Sequence, residues 1–139
     1  MDTVFVYGSL RQGMHNHDAY LKGKIKRSIK GAIKGQLYHL SNKGYPAVVE
    51  GDDYIVGELV ELKDVNETLN YLDDLEQYIS NDINNSEYCR KIVDVKLDDN
   101  TIKTAYFYEY NLNSNFNKQD VRIPVKSGDW KKYIQNKTI

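Results

Sequence analysis

A chain of 139 residues fits one domain and is long enough to bury a core without disulfides or a metal. Its 19 Lys and Arg offset 20 Asp and Glu to a formal net charge of −1, with both signs mixed throughout, which excludes a basic nucleic-acid face and an acidic tail. No apolar run reaches membrane-spanning length, and the lone Cys89 excludes an internal disulfide. The chain starts straight into a strand with no basic-then-apolar leader, so no signal peptide and a cytoplasmic setting are expected.

The first element is an apolar, strand-forming run, Val4-Phe5-Val6, that stops abruptly at Tyr7-Gly8-Ser9-Leu10-Arg11. Glycine permits close approaches, and a buried strand that ends in Gly-Ser can turn its N–H groups toward an anion or oxyanion. Read as pattern alone, the same residues also describe an ordinary turn. Arg11 to Tyr20 is polar and loop-like, with a helix start near Asn16-His17-Asp18. His15 and His17 lie two apart with no Cys or third His nearby, too few ligands for zinc, so no metal site is expected.

Lys24 to Lys30 alternates basic and apolar residues as a half-exposed strand does. Gly31 punctuates it, and Ala32 to Leu40 reads as a second strand with Gly35 a bulge or close-approach point. Ser41-Asn42-Lys43-Gly44 is a turn, and Tyr45 to Val49 a short strand opened by a proline. Gly51-Asp52-Asp53 reads as a second turn, leading back into a strand over Tyr54 to Leu62.

Asp64 to Tyr78 is the one long helix, with Asp64 as N-cap and Glu67 completing a capping box. At about 100° per residue, Val65, Leu69 and Leu72 fall within roughly 60° of each other. Glu76 projects onto the middle of that apolar stripe, while Glu67 and Asp74 point away. A carboxylate buried at the negative end of a helix dipole is pushed toward a general base's working range. A frayed end with Glu76 in solvent is the alternative.

Asn81 to Ser86 is a polar loop. Glu87 to Leu97 reads as a strand, with Tyr88, Arg90 and Ile92 on one face and Cys89, Val93, Val95 and Leu97 on the other. Asp98-Asp99-Asn100 turns a hairpin into Thr101 to Tyr110. An asparagine-rich loop, a short extended Ile123-Pro124 and a terminal helix starting at Ser127-Gly128-Asp129-Trp130 complete the chain. About seven short strands and one principal helix make the class α+β. Twelve tyrosines against three phenylalanines suit a polar pocket lining, because a buried hydroxyl needs a partner.

The ordered set Tyr7-Gly8-Ser9-Leu10-Arg11, Gly35-Gln36-Leu37-Tyr38, Gly44-Tyr45-Pro46-Ala47, Leu72-Asp73-Asp74-Leu75-Glu76, Tyr88-Cys89-Arg90, Ala105-Tyr106-Phe107-Tyr108 and Ser127-Gly128-Asp129-Trp130 resembles the γ-glutamylcyclotransferase-like family, closest to its small bacterial and γ-glutamylamine members. The resemblance implies a small mixed or antiparallel β-barrel with helices packed outside. It implies a small γ-glutamyl substrate cyclised to 5-oxoproline with release of an amine or amino acid, and no cofactor. Glu76 matches the family's acid/base, Tyr7 to Leu10 its substrate-holding loop, and Tyr88 a pocket tyrosine. Gln77 stands where the family more often has glycine. Arg90 is read either as a contact to a substrate carboxylate or as a surface ion pair. The alternatives to an enzyme are a binding module for a γ-glutamyl-like metabolite without turnover, or a barrel used as an interaction surface. Oligomeric state and the amine portion are open.

Overall fold

Two long strands carry the architecture of the computed structural model, which describes residues 1–137. β2 (Ile25–Leu40) and β3 (Tyr45–Leu62) pair antiparallel over their whole lengths, from Ile25 opposite Leu62 to Leu40 opposite Tyr45. β1 (Thr3–Val6) lies antiparallel on the free edge of β3, with Thr3 opposite Glu61 and Val6 opposite Glu58. The other side of β1 meets β5 (Ile102–Tyr110) in parallel, Val4 opposite Tyr106. β5 forms a hairpin with β4 (Tyr88–Leu97), and β4 returns to β2 at Gly31 and Ala32. The circuit β3-β1-β5-β4-β2-β3 closes a five-stranded mixed barrel, which leaves no ladder edge within it exposed. β6 (Arg122–Pro124) pairs with the far end of β2.

Among the described residues three α-helices dress the barrel: α1 (His15–Tyr20), α2 (Val65–Leu75) and α3 (Trp130–Lys137). β1 is buried on both sides, which explains its unbroken apolar run. Val4 and Val6 pack with Leu69 and Leu72 of α2. Phe5 and Tyr7, alternating to the other face, pack with Ile33, Leu37, Val95, Phe107 and Trp130. Gly57 makes β1 fit: a Cβ there would stand 2.2 Å from the Val6 carbonyl oxygen and 2.6 Å from the Phe5 ring.

Among the described residues six strands stand where about seven were expected: two expected pairs merge into β2 and β3, and the short extended piece at Ile123-Pro124 pairs as β6. Gly31 does not end a strand. It pairs with Gly57 inside the ladder, where its bare edge admits Val95. Gly51-Asp52-Asp53 is not a turn either. Gln36 stands opposite Val49 and Gly35 opposite Asp53, so residues 50–52 form a bulge and β3 continues onward. β2 offers an uninterrupted partner, and extra residues opposite such a partner are absorbed as a bulge, without reversal. The loop expected over Arg11–Tyr20 contains all of α1, one residue earlier than its anticipated start. The polar loop before β4 holds a single 3-10 turn, Ile83–Asn85.

α2 starts where expected. Asp64 Oδ1 accepts the Glu67 N–H at 3.1 Å. Among the described residues the Glu67 side chain returns no bond, so only the Asp64 half of the capping box forms. Asp64→Ala is expected to cost about 1 kcal/mol, the usual value of an acidic N-cap, read as a lower urea midpoint at unchanged slope.

Candidate active site

The turn after β1 is built to lie flat against Pro46. The Arg11 N–H closes it onto the Gly8 carbonyl at 3.0 Å. A Cβ at Gly8 would come within 2.6 Å of Pro46 Cγ, so glycine is required for that approach. α1 holds the turn from one side. The Asn16 N–H donates to the Ser9 carbonyl, Asn16 Nδ2 donates to Ser9 Oγ, and His17 Nδ1 lies 3.0 Å from the Leu10 carbonyl. Arg11, only 7% exposed, holds it from the other, donating to Glu58 Oε2 at 2.8 Å and to Asp129 Oδ1 at 2.9 Å ahead of α3. Among the described residues no acceptor pairs with the N–H groups of Gly8, Ser9 and Leu10.

α2 ends in a Schellman motif that fixes Glu76. The Tyr78 N–H reaches back to the Asp73 carbonyl at 2.9 Å, and the Gln77 N–H to the Asp74 carbonyl at 3.2 Å. Glu76 is the C-cap residue, and Gln77 takes the left-handed position at φ 53°. Glycine is favoured there because it has no Cβ to strain, and Gln77 occupies the position at that backbone cost. Gln77 completes the turn with a bond of its own, Nε2 to the Asp74 carbonyl at 2.8 Å. Gln77→Gly is expected to raise stability by about 1 kcal/mol by relieving that backbone strain, measured by urea unfolding.

Turn and helix end meet at one cavity of about 200 Å³. Its lining takes Tyr7 to Leu10 from the turn, Leu75 and Glu76 from α2, His15 and Asn16 from α1, Tyr45 and Pro46 from β3, and Glu87, Tyr88 and Tyr108 from the β4–β5 side. The four lining tyrosines are anchored through their hydroxyls. Tyr7 donates to the Tyr108 carbonyl at 2.6 Å, and Tyr88 to the Pro46 carbonyl. Tyr108 donates to Asp73 Oδ1 at 2.6 Å, and Tyr45 to Glu87 Oε2. Burial pushes Tyr7 and Tyr88 well above the usual phenol range, so both stay neutral and serve as walls.

Glu76 stands apart in this lining. Among the described residues its carboxyl makes no hydrogen bond and no ion pair. Burial, with the neighbouring charge of Glu87 as a second cause, pushes it up to about 8. That is the range of a group that can both take and return a proton at neutral pH.

Residues 4–132 match the family model described as gamma-glutamyl cyclotransferase, AIG2-like. The chain belongs to that family. Gamma-L-glutamyl-butirosin B gamma-glutamyl cyclotransferase of Niallia circulans is 32% identical over 133 residues, 96% of this chain and 78% of that protein. A Methanocaldococcus jannaschii protein provisionally named a gamma-glutamylcyclotransferase is 37% identical over 135 residues, 96% of this chain and 98% of its own. Among solved structures, YkqA of Bacillus subtilis superposes with a TM-score of 0.70 at 27% identity, covering 99% of this chain and 43% of YkqA. The chain thus spans less than half the length of that relative. The barrel is the gamma-glutamyl cyclotransferase fold.

Of the residues singled out from sequence, the cavity of this cyclotransferase-family chain brings together Tyr7, Gly8, Ser9, Leu10, Glu76 and Tyr88. Arg90 lies outside the lining. Its Nη1 pairs with Asp73 at 3.0 and 2.8 Å, and its guanidinium carbon lies 5.7 and 5.2 Å from the ring centroids of Tyr78 and Tyr106. Asp73 is fully engaged by Arg90 and Tyr108, so the arginine braces the wall and stands in no position on the cavity lining. Glu87, Tyr45, His15, Asn16 and Tyr108 line the cavity without having been singled out. Glu87 is the notable omission, since in the sequence it is only the polar first residue of an expected strand, and in the structure it precedes β4 by one residue.

Proposed function

We propose that this chain cyclises a small γ-glutamyl compound to 5-oxoproline and releases the amine, with Glu76 as general acid/base. One observation carries the reading: a single cavity is lined both by an unpartnered, half-buried carboxyl and by a turn with three consecutive free N–H donors. In the reaction the substrate's neutral α-amine attacks its own γ-carbonyl carbon, and a C–N bond forms as the five-membered ring closes. The oxygen of that carbonyl gathers negative charge, and backbone N–H donors are suited to meet it. Glu76 takes a proton from the attacking nitrogen and returns it to the departing nitrogen as the second C–N bond breaks. The nucleophile is supplied by the substrate, so the chemistry calls for no protein nucleophile, metal or cofactor.

The cavity's main contribution is to fold the substrate back on itself; positioning of this kind is worth about 7–11 kcal/mol in favourable cases. Tyr7 and Tyr88 supply neutral walls for this fold-back. Arg90 acts at one remove, through Asp73 and Tyr108. The test is a panel of γ-glutamyl amines and γ-glutamyl amino acids incubated with purified protein. 5-Oxoproline is expected in equal amount to released amine for at least one member. A panel without product, from protein that melts cooperatively, would reject the reading in favour of binding without turnover.

A further inference from the structure

Two carboxyls line the cavity, and the mechanism uses one. Glu87 Oε2 accepts both from Lys43 Nζ at 2.7 Å and from the Tyr45 hydroxyl. Among the described residues Glu87 Oε1 has no partner. The Glu87 side chain is 14% exposed. Lys43 has nothing left to offer a ligand: its three N–H donors go to Glu87 Oε2, Asn117 Oδ1 and Asp120 Oδ2 at 2.7, 2.9 and 2.8 Å. Among the described lining residues there is no lysine or arginine, and His15 is the single basic side chain. Resting on the function proposed above, the turn's three N–H donors are shared by the substrate's α-carboxylate and the γ-carbonyl oxygen, and its α-amine takes Glu76. Glu87 is then left facing the only part of the substrate not yet accounted for, the amine portion.

We propose that Glu87 sets specificity for the leaving amine, and that the preferred substrates are γ-glutamyl derivatives of diamines or polyamines, whose second ammonium meets Glu87 Oε1. An acid in a half-closed cavity attracts a cation and repels an anion, and the effect is larger than at an open surface. A leaving portion that carries a carboxylate meets two acids and, among the described lining residues, no lysine or arginine. Tyr45 and Lys43 hold the Glu87 carboxylate in one orientation, so the charge is presented at a fixed place.

Three substrates separate the possibilities: the γ-glutamyl monoamides of 1,4-diaminobutane (cationic), of n-butylamine (neutral) and of glycine (anionic). The expected order of kcat/KM at low salt is cationic over neutral over anionic, by about tenfold at each step, shrinking as salt is added. Glu87→Gln keeps acceptors for Lys43 and Tyr45 but removes the charge, and is expected to bring the three within about threefold. Glu87→Asp keeps the charge and should keep the order. Melting curves for each variant confirm a folded chain. Wild-type protein without a charge order, or an order that persists in Glu87→Gln, overturns the proposal; equal slowing of all three by Glu87→Gln overturns it too, since it places Glu87 on the shared glutamyl part. If none of the three is turned over, the cyclotransferase reading fails on its own. Calorimetric binding of the same compounds to wild-type protein then decides the charge order independently.

Discussion

Glu76→Gln is expected to lower kcat by about 10²–10⁴-fold, the usual contribution of a positioned acid/base, while substrate binding persists. The substitution keeps the shape of the side chain and removes its ability to exchange a proton. The Schellman turn that holds residue 76 is made by backbone groups of Asp73, Asp74, Gln77 and Tyr78, so the variant retains the geometry of the helix end. The residual rate reports what the turn's N–H groups and the folded-back substrate supply without proton transfer. The pH profile gives a second check. Glu76 is pushed up to about 8, and the attacking amine needs its carboxylate form. The wild-type kcat/KM is therefore expected to carry a Glu76 limb levelling off above about 8 on top of the substrate amine's own titration, and Glu76→Gln to keep only the amine's. A variant as fast as wild type, measured by 5-oxoproline formation, would end the assignment of Glu76.

The parts of this site that could be read from sequence are those coded by local periodicity. Val65, Leu69 and Leu72 define a stripe at helical spacing, and Glu76 continues it, so its inward placement follows from arithmetic on one segment. The abrupt end of Val4-Phe5-Val6 at Gly8 is equally local. Glu87 is different. It reaches the cavity because β4 begins where the β2–β3 hairpin brings Lys43 and Tyr45 across the barrel, a juxtaposition set by strand pairing. The merged strands fail to show for the same reason. Gly31 and Gly51 carry the local signature of breaks, and only the long partner opposite them turns that signature into close packing and a bulge. α1 has six residues, too short to persist on its own propensity, and is held by the turn contacts of Asn16 and His17. Arg90 shows the reverse case. Its strand face is legible, but its partner Asp73 comes from α2, and only that contact tells a wall brace from a substrate contact.

The same Glu76→Gln variant is expected to be more stable than wild type, by about 3 kcal/mol at pH 7. The sign follows from proton counting. In the folded chain Glu76 is pushed up to about 8, against an ordinary value of 4.5. Below the ordinary value both folded and unfolded chains hold the proton, and the group adds no penalty. Between the two values the unfolded chain ionises while the folded chain does not, and folding loses about 1.36 kcal/mol per pH unit. Above about 8 both states are ionised and the penalty is constant. Glutamine never ionises, so it escapes this cost throughout. Urea unfolding of both proteins should give a gap under about 1 kcal/mol at pH 5 that widens to about 3 kcal/mol at pH 7. A gap that stays flat from pH 5 to 8 would mean an ordinary solvated carboxyl at the end of α2. A widening gap together with lost turnover identifies one cause for both, since the burial that destabilises the carboxylate is what brings its proton affinity into the range where it can serve as acid and base in turn.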